Sequence, residues 1–392
     1  MSVWDAIVGQ RAAVDQLKTI ACGDPKSIAQ SWLICGPAGS GRGDVARAFA
    51  AALDSPDHGL GDQPTDVTRQ ILADAHPDVK TLATDKVTIS IDDVRELIGL
   101  SEQMPSTAPW RIIIIEDVDR MLERTTNVLL KEIEEPSEHT IWLLCAPSAQ
   151  DVLPTIRSRC RIVNLAVPSA EAIAEHLMRD VLPTVKEETE RFDRTIADRA
   201  ARLSEGNIEA AVLYAKDERV RADRDELVAG VLRLSRASDA ILLAGDLNDS
   251  AKTQAEAQAG RDVEEKEAEF RRINGLGADE RIPTNLRGAY NQIGKKDEVK
   301  RRATRLTRDV IGRGLDAVAS VYRDVAVLQN DAEPSVGLIN IEHRAAIGEL
   351  AARLDRAATV RRLDDIAVAR RRLAGNGNQL LVLEALFCAL LP

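Results

Sequence analysis

At 392 residues, with 44% apolar residues and a formal net charge of −11, the chain is long enough for two or three domains with real cores. Its acidity excludes a protein that binds nucleic acid or anionic membrane through its whole surface, while leaving room for a local basic face. Aromatic residues make up only 3%, so the cores are expected to be Leu, Val, Ile and Ala packed between helices. The cysteines Cys22, Cys35, Cys145, Cys160 and Cys388 form no Cys-x-x-Cys pair. They predict reduced thiols in a cytoplasmic protein, and neither a signal-like start nor a membrane-length apolar run is present in the sequence.

Trp4, Ile7, Val8 and Gly9-Gln10 open the chain, and Val14, Leu17 and Ile20 follow at helical spacing. Next comes an apolar run, Trp32-Leu33-Ile34-Cys35, then Gly36-Pro37-Ala38-Gly39-Ser40-Gly41-Arg42-Gly43, then an Ala-rich amphipathic run from Asp44 to Leu53. Strand, Gly-rich turn and helix is the setting in which backbone N–H groups and a helix N-terminus wrap a phosphate. A working loop of this type is Gly-x4-Gly-Lys-Ser/Thr. Here the lysine position holds Arg42, a planar fork rather than a compact ammonium, and the hydroxyl position holds Gly43, which has no oxygen to offer magnesium. Gly36, Gly39, Gly41, Arg42 and Gly43 thus outline a degenerate phosphate loop, and the occupancy of that loop by ATP or ADP is left open.

Residues 54–80 are rich in Pro and Gly, with a short helix expected over Arg69–Ala75. His58 and His76 have no cysteine neighbours there, and tetrahedral zinc takes four N or S ligands, so no metal site is expected. Short strands are predicted at Val79–Leu82 and Lys86–Ile89. A helix follows, started by Ser90 and Asp92-Asp93 and carrying Val94, Leu97, Ile98 and Met104. The β-branched run Arg111–Ile115 has the pattern of a central parallel strand. It ends in Glu116-Asp117-Val118-Asp119, and carboxylates at such a strand end are where NTPases hold magnesium and an attacking water. A helix over Met121–Glu135, stopped by Pro136, leads to a buried strand at Thr140–Cys145. A short helix and turn, Leu153–Cys160, and a closing strand, Arg161–Leu165, complete a parallel α/β domain over 1–165.

From Pro168 the strands stop. Helices are expected over Ala170–Leu182 and Phe192–Leu203, and from Gly206-Asn207 through Ala215, making a small helical unit at 166–222. The remainder, 223–392, is also helical. Ser250–Ile273 is highly charged with almost no apolar face, which predicts a solvated helix or mobile segment. Lys295–Arg308 is strongly basic and runs into an apolar helix, Val310–Leu328. That basic face is a solvated surface or a contact for nucleic acid or an acidic partner. Ala345–Arg356, Val360–Leu373 and Gln379–Leu391 complete a bundle.

Taken together, Gly36–Arg42, His76-Pro77-Asp78, Ile115–Asp119, Asn127–Lys131 with Glu134-Glu135-Pro136, and Ser158-Arg159-Cys160 resemble, in order and spacing, the bacterial clamp-loader subunits of the AAA+ class. The resemblance is to the delta-prime type of DNA polymerase III in its actinobacterial form, dense over 1–165 and sparser over the C-terminal helices. It implies a RecA-like α/β (AAA+) parallel-sheet domain, a small helical lid and an all-helical collar. It also implies a non-hydrolysing stator in a five-subunit ring with gamma/tau and delta subunits, which opens the sliding clamp and places it on primed DNA. In that family the arginine of the Ser-Arg-Cys triplet reaches the ATP site of the neighbouring gamma/tau subunit. The resemblance therefore gives Arg159, with Ser158 and Cys160, a role in trans. Arg157 and Arg161 flank it, and spacing alone does not choose among the three.

The sequence departs from the family pattern in several places. The usual Asp-Glu pair appears reversed as Glu116-Asp117, Glu209 stands where ATPase members often carry an arginine, and the four zinc cysteines of many members are missing. Each departure points to a subunit without catalysis of its own and with no required cofactor. The competing readings are an active AAA+ ATPase of the gamma type in which Arg42 replaces lysine, and a nucleic-acid-binding module at Lys295–Arg308.

Overall fold

The computed structural model describes residues 2–83, 88–181, 193–277, 280–284, 286–375 and 377–391. The chain falls into two compact units, Met1–Lys216 and Asp217–Pro392. The position 222/223, where composition suggested a joint, lies inside the continuous helix Glu218–Arg233.

The first unit is built on five parallel strands, β1 (Ser31–Cys35), β2 (Val79–Leu82), β3 (Arg111–Ile115), β4 (Thr140–Ala146) and β5 (Arg161–Asn164), in the order β2-β3-β4-β1-β5. Every residue of β1, β3 and β4 is buried, whereas β2 and β5 at the edges are partly exposed. That is why β3 can be a continuous isoleucine run: helices cover both faces of a central parallel strand. The register sets Cys35 beside Ala146 and Ile115 beside Leu144. The Gly-rich turn after β1 and the acidic run after β3 consequently leave the same edge of the sheet, on either side of β4. The scarcity of aromatics suggested an aliphatic core, yet Trp32 and Trp142 are fully buried in it and Trp32 meets Phe49 edge-on at 5.1 Å.

Several boundaries differ from expectation. The Ser90 helix, closed by a reciprocal Ser90–Asp93 capping box, spans Ile91–Ser101, so Met104 lies beyond it and is exposed. Residues 84–87 are outside the described residues, and of the strand expected over Lys86–Ile89 only a single bridge, Ile89 to Met121, is described. The short helix expected over Arg69–Ala75 lies at Asp66–Leu72, started by the Thr65 cap. Leu182 and Phe192, expected at helix ends, are also outside the described residues, between a wide turn at Leu177–Val181 and the helix Arg194–Leu203.

His76-Pro77-Asp78 turns out to be structural. Asp78 is fully buried and accepts from the amides and hydroxyls of Ser106 and Thr107, at 2.7–2.9 Å, and from the Ala108 amide. Arg111 pairs with it at 3.2 Å and donates to the carbonyls of Pro77 and Met104. Burial pushes the carboxyl up, but the four donors outweigh it and hold Asp78 well below the ordinary carboxylate range.

The second unit is a helical bundle. Val228, Val318, Val321, Tyr322, Leu383 and Phe387 form its core. Asp324, fully buried, accepts from the amides of Ile339 and Asn340, and Arg224 donates to Asn340 and Ser320. Ser250–Ile273 belongs to one helix, Ala237–Ile273, and the basic run belongs to another, Lys296–Gln329. Contrary to the expectation of no packed face, Ala251, Ala255 and Ala259 are buried. Alanines at i, i+4 and i+8 make a narrow stripe that lets a second backbone come close, a seam too small for a hydrophobicity pattern to reveal.

Candidate functional site

The turn after β1 keeps the shape of a phosphate loop. Gly39 and Gly41 have φ of +74° and +82°, a region glycine adopts without steric cost, and the helix Arg42–Asp54 starts directly after Gly41. The interior of the turn is filled by the chain's own groups. Arg42 donates to the Gly36 carbonyl at 2.6 Å and pairs with Asp117 at 2.9 Å. Arg47 pairs with Glu116 and with Asp44, each at 2.8 Å. Both members of the acidic pair are thus engaged by arginines of the loop's own helix. Asp117 sits at φ +55° and also binds Arg120.

The other side of the loop is closed by the segment that follows Gly206. Asn207 caps the helix Ile208–Lys216 by accepting from the Ala210 amide, and the Ile208 amide donates to the Gly39 carbonyl at 2.9 Å. The Asn207 side chain lies so close to Gly39 that a Cβ there would sit 2.1 Å from its Oδ1. A Cβ at Gly43 would sit 2.5 Å from Glu116 Oε1. Glu209, in the first turn of the same helix, places a further carboxylate in the segment that meets the loop. Gln10, buried, ties the N-terminal segment in by donating to the Ala166 carbonyl at 2.8 Å and accepting from the Ala166 amide. Between these parts a cavity of about 40 Å³ remains, lined by Ile7, Val8, Gly41, Asp44, His176 and Ile208.

Arg159 is in a different environment. It follows the short helix Pro154–Arg157 and precedes β5, as the sequence indicated. It is exposed, and its guanidinium is bound by the Thr155 carbonyl at 2.8 Å, by Ser158 Oγ at 3.3 Å and by the carboxylate of Glu134. Glu134 ends the helix Glu123–Glu134, so groups from two elements meet the guanidinium. Of the flanking candidates, Arg157 turns to the Ala149 carbonyl and Arg161 stacks over Trp32 at 5.1 Å. Ser158 is exposed and donates to the Thr155 carbonyl. Burial pushes the Cys160 thiol up to about 12, which makes it a packing residue rather than a thiolate.

Sequence reasoning identified the loop, the acidic pair and the Ser-Arg-Cys triplet. It missed Arg47 and Asn207 as occupants of the loop and Glu134 as the partner of Arg159. Asn207 had a signal, since Gly-Asn before an apolar run marks a helix cap. Nothing in the spacing of Arg47 or Glu134 pointed to their partners.

Among known proteins, the family model described as "DNA polymerase III, delta subunit" matches residues 9–169. DNA polymerase III subunit delta' of Pseudomonas aeruginosa is 32% identical over 211 residues, 53% of this chain and 61% of that protein. Over this region the chain is similar to DNA polymerase III subunits. Subunit delta' of Escherichia coli is 32% identical over 142 residues, 36% of this chain and 40% of that protein. The gamma/tau subunit of Mycobacterium tuberculosis is 29% identical over 157 residues, 39% of this chain and 27% of that protein. The chain spans less than two thirds of the length of each of these relatives. A gamma subunit-related protein of Thermotoga maritima superposes with a TM-score of 0.43 at 18% identity, over 95% of this chain and 97% of that one. None of the described helices is long and apolar enough to cross a membrane.

Proposed function

We propose that this chain is the delta-prime, or stator, subunit of a DNA polymerase III clamp loader. In this reading it sits with gamma/tau and delta subunits in a cytoplasmic five-subunit ring that opens the sliding clamp and sets it on primed DNA. It hydrolyses no ATP, requires no cofactor, and lends Arg159 to the ATP site of a gamma/tau neighbour. The three-part division into α/β domain, lid and collar belongs to the same reading, as does the actinobacterial affiliation.

The observation that carries the proposal is a contrast between two arginines in one unit. Arg42, in the chain's own loop, is half-buried and satisfied by Gly36 and Asp117. Arg159 stands exposed on a support of two elements. In this reading the loop holds no magnesium-bound triphosphate. Position 43 has no hydroxyl to offer magnesium, and Glu116 and Asp117 are taken by Arg47 and Arg42. Arg159 has what a finger needs: a permanent charge, a planar multidentate donor set and a fixed origin.

The test is ATP turnover by a ring reconstituted from this chain and its gamma/tau and delta partners. Arg159→Ala is expected to slow hydrolysis at the one neighbouring site by about 10³-fold, the lower end for a finger supplied by a neighbour, and so to lower DNA-stimulated turnover of the ring, with assembly intact by native mass. Unchanged turnover would refute the reading. Turnover by the isolated chain, abolished by Gly41→Asp, would support an active gamma-type ATPase instead.

A further inference from the structure

The two long helices of the second unit, Ala237–Ile273 and Lys296–Gln329, run antiparallel: Leu247 packs at Gly314, and Asp262 pairs with Arg302 at 2.7 Å. Among the described residues, Ala259 is the last buried residue of the first helix and Thr307 the first of the second. Among the described residues from 260 to 306 none is buried. An arm of this size without a core of its own gains little from burial, so its surface chemistry is what distinguishes it.

That chemistry is cationic. Residues 295–308 hold Lys295, Lys296, Lys300, Arg301, Arg302, Arg305 and Arg308 against Asp297 and Glu298, in a chain whose net charge is −11. The facing helix is acidic, with Asp262, Glu264, Glu265, Glu267 and Glu269. Arg302 is turned to Asp262 along the seam, and Arg305 to Asp309. Lys295, Lys296, Lys300 and Arg301 are exposed and pair with no described carboxylate.

We propose that the Lys295–Arg301 face of this arm is a docking surface for a nucleic-acid phosphate backbone. From Lys296 to Arg308 the helix rises about 18 Å, a length over which duplex DNA carries on the order of ten negative charges. Charge without anchors favours this partner over an acidic protein. Residues 295–308 present no exposed large apolar side chain, whereas protein interfaces concentrate their energy in buried aromatic or aliphatic anchors. Backbone binding needs cations alone, and it releases counterions.

The test is fluorescence anisotropy of the full chain with a labelled duplex across a salt series. Binding is expected to weaken about 10²-fold between 50 and 200 mM salt, as about four phosphate contacts require. Replacing Lys295, Lys296, Lys300 and Arg301 together by Gln is expected to flatten the log–log salt slope by about 3 to 4, with unchanged circular dichroism. A control removes Arg361, Arg371 and Arg372, exposed on the helix Arg356–Ala374, and is expected to retain most of the slope. Equal binding by the two variants, or binding of polyglutamate but not of duplex at 50 mM salt, would overturn the proposal. So would no binding by the intact chain.

Discussion

Arg42 and Arg159 are both arginines paired with a carboxylate, and both lie in the first unit, yet they are solved in opposite ways. Arg42 leaves only 13% of its side chain exposed and spends its donors on the Gly36 carbonyl and Asp117. Arg159 leaves 37% exposed, on a partner, Glu134, that is itself 45% exposed. An internally satisfied arginine acts as a structural strut. A surface arginine in a screened pair is held weakly, since such pairs contribute about 0–1 kcal/mol. A triphosphate arriving from outside can therefore compete for it. The same residue type is thus enclosed in one place and left accessible in the other.

The largest expected effect breaks the comparison at Arg159. Arg159→Lys keeps the charge and discards the planar fork. If the guanidinium geometry matters, this variant should recover at most about a tenth of the turnover lost in the alanine variant. Arg42→Lys should leave turnover of the reconstituted ring unchanged. Equal losses at the two positions would remove the distinction between strut and finger.

Next in size is the strut itself. Asp117→Ala leaves Arg42 in a largely enclosed position with one acceptor gone. It should cost about 1–3 kcal/mol of stability, read as a lowered urea midpoint, with partner turnover unaffected in the folded protein. A neutral Asp117→Ala would mean that the loop is not held shut by this pair.

The sheet was legible because its signals are local. Ile112–Ile115 is a central strand by composition, and the loop after Cys35 announces itself by its glycines. The joint at 216/217 was not legible, because Glu218–Arg233 is a polar-faced helix whose partners lie far away in sequence. The packed stripe of Ala251, Ala255 and Ala259 was hidden for a related reason: small residues carry little hydrophobic signal, and their value lies in letting another helix approach. At the site, residue types and order singled out Arg42, Glu116 and Asp117, while Arg159 was chosen over Arg157 and Arg161 by resemblance. Which arginine meets which carboxylate depends on side-chain reach across strands, and spacing says nothing about that.

A pH-dependent effect concerns the far end of the helix that carries Arg42. Its last residue, Asp54, is buried and accepts from the Trp110 amide at 3.1 Å, and burial raises its pKa to about 8. An unfolded Asp titrates near ~3.9, so the folded state keeps a proton that the unfolded state has lost. Stability from this group is full below about pH 4, declines as pH rises, and levels off above about pH 8. Its slope is at most about 1.4 kcal/mol per pH unit. Asp54→Asn should flatten the dependence of the melting temperature on pH across that window, and an unchanged profile would assign the slope elsewhere.

The smallest expected effect is none, and it probes the closed site most directly. Arg42→Lys combined with Gly43→Thr restores the residue types of a working loop. A Cβ at position 43 would meet Glu116 Oε1 at 2.5 Å, while Glu116 stays held by Arg47 and Asn207 still crowds Gly39. The double variant should therefore show no gain in binding of a fluorescent ATP analogue in the presence of magnesium. If it binds at micromolar concentrations, the substitutions at 42 and 43 are the whole barrier, and Glu116, Arg47 and Asn207 yield to a ligand. If only a further Arg47→Ala opens the site, the barrier is the ion pair that has claimed the acidic residue after β3.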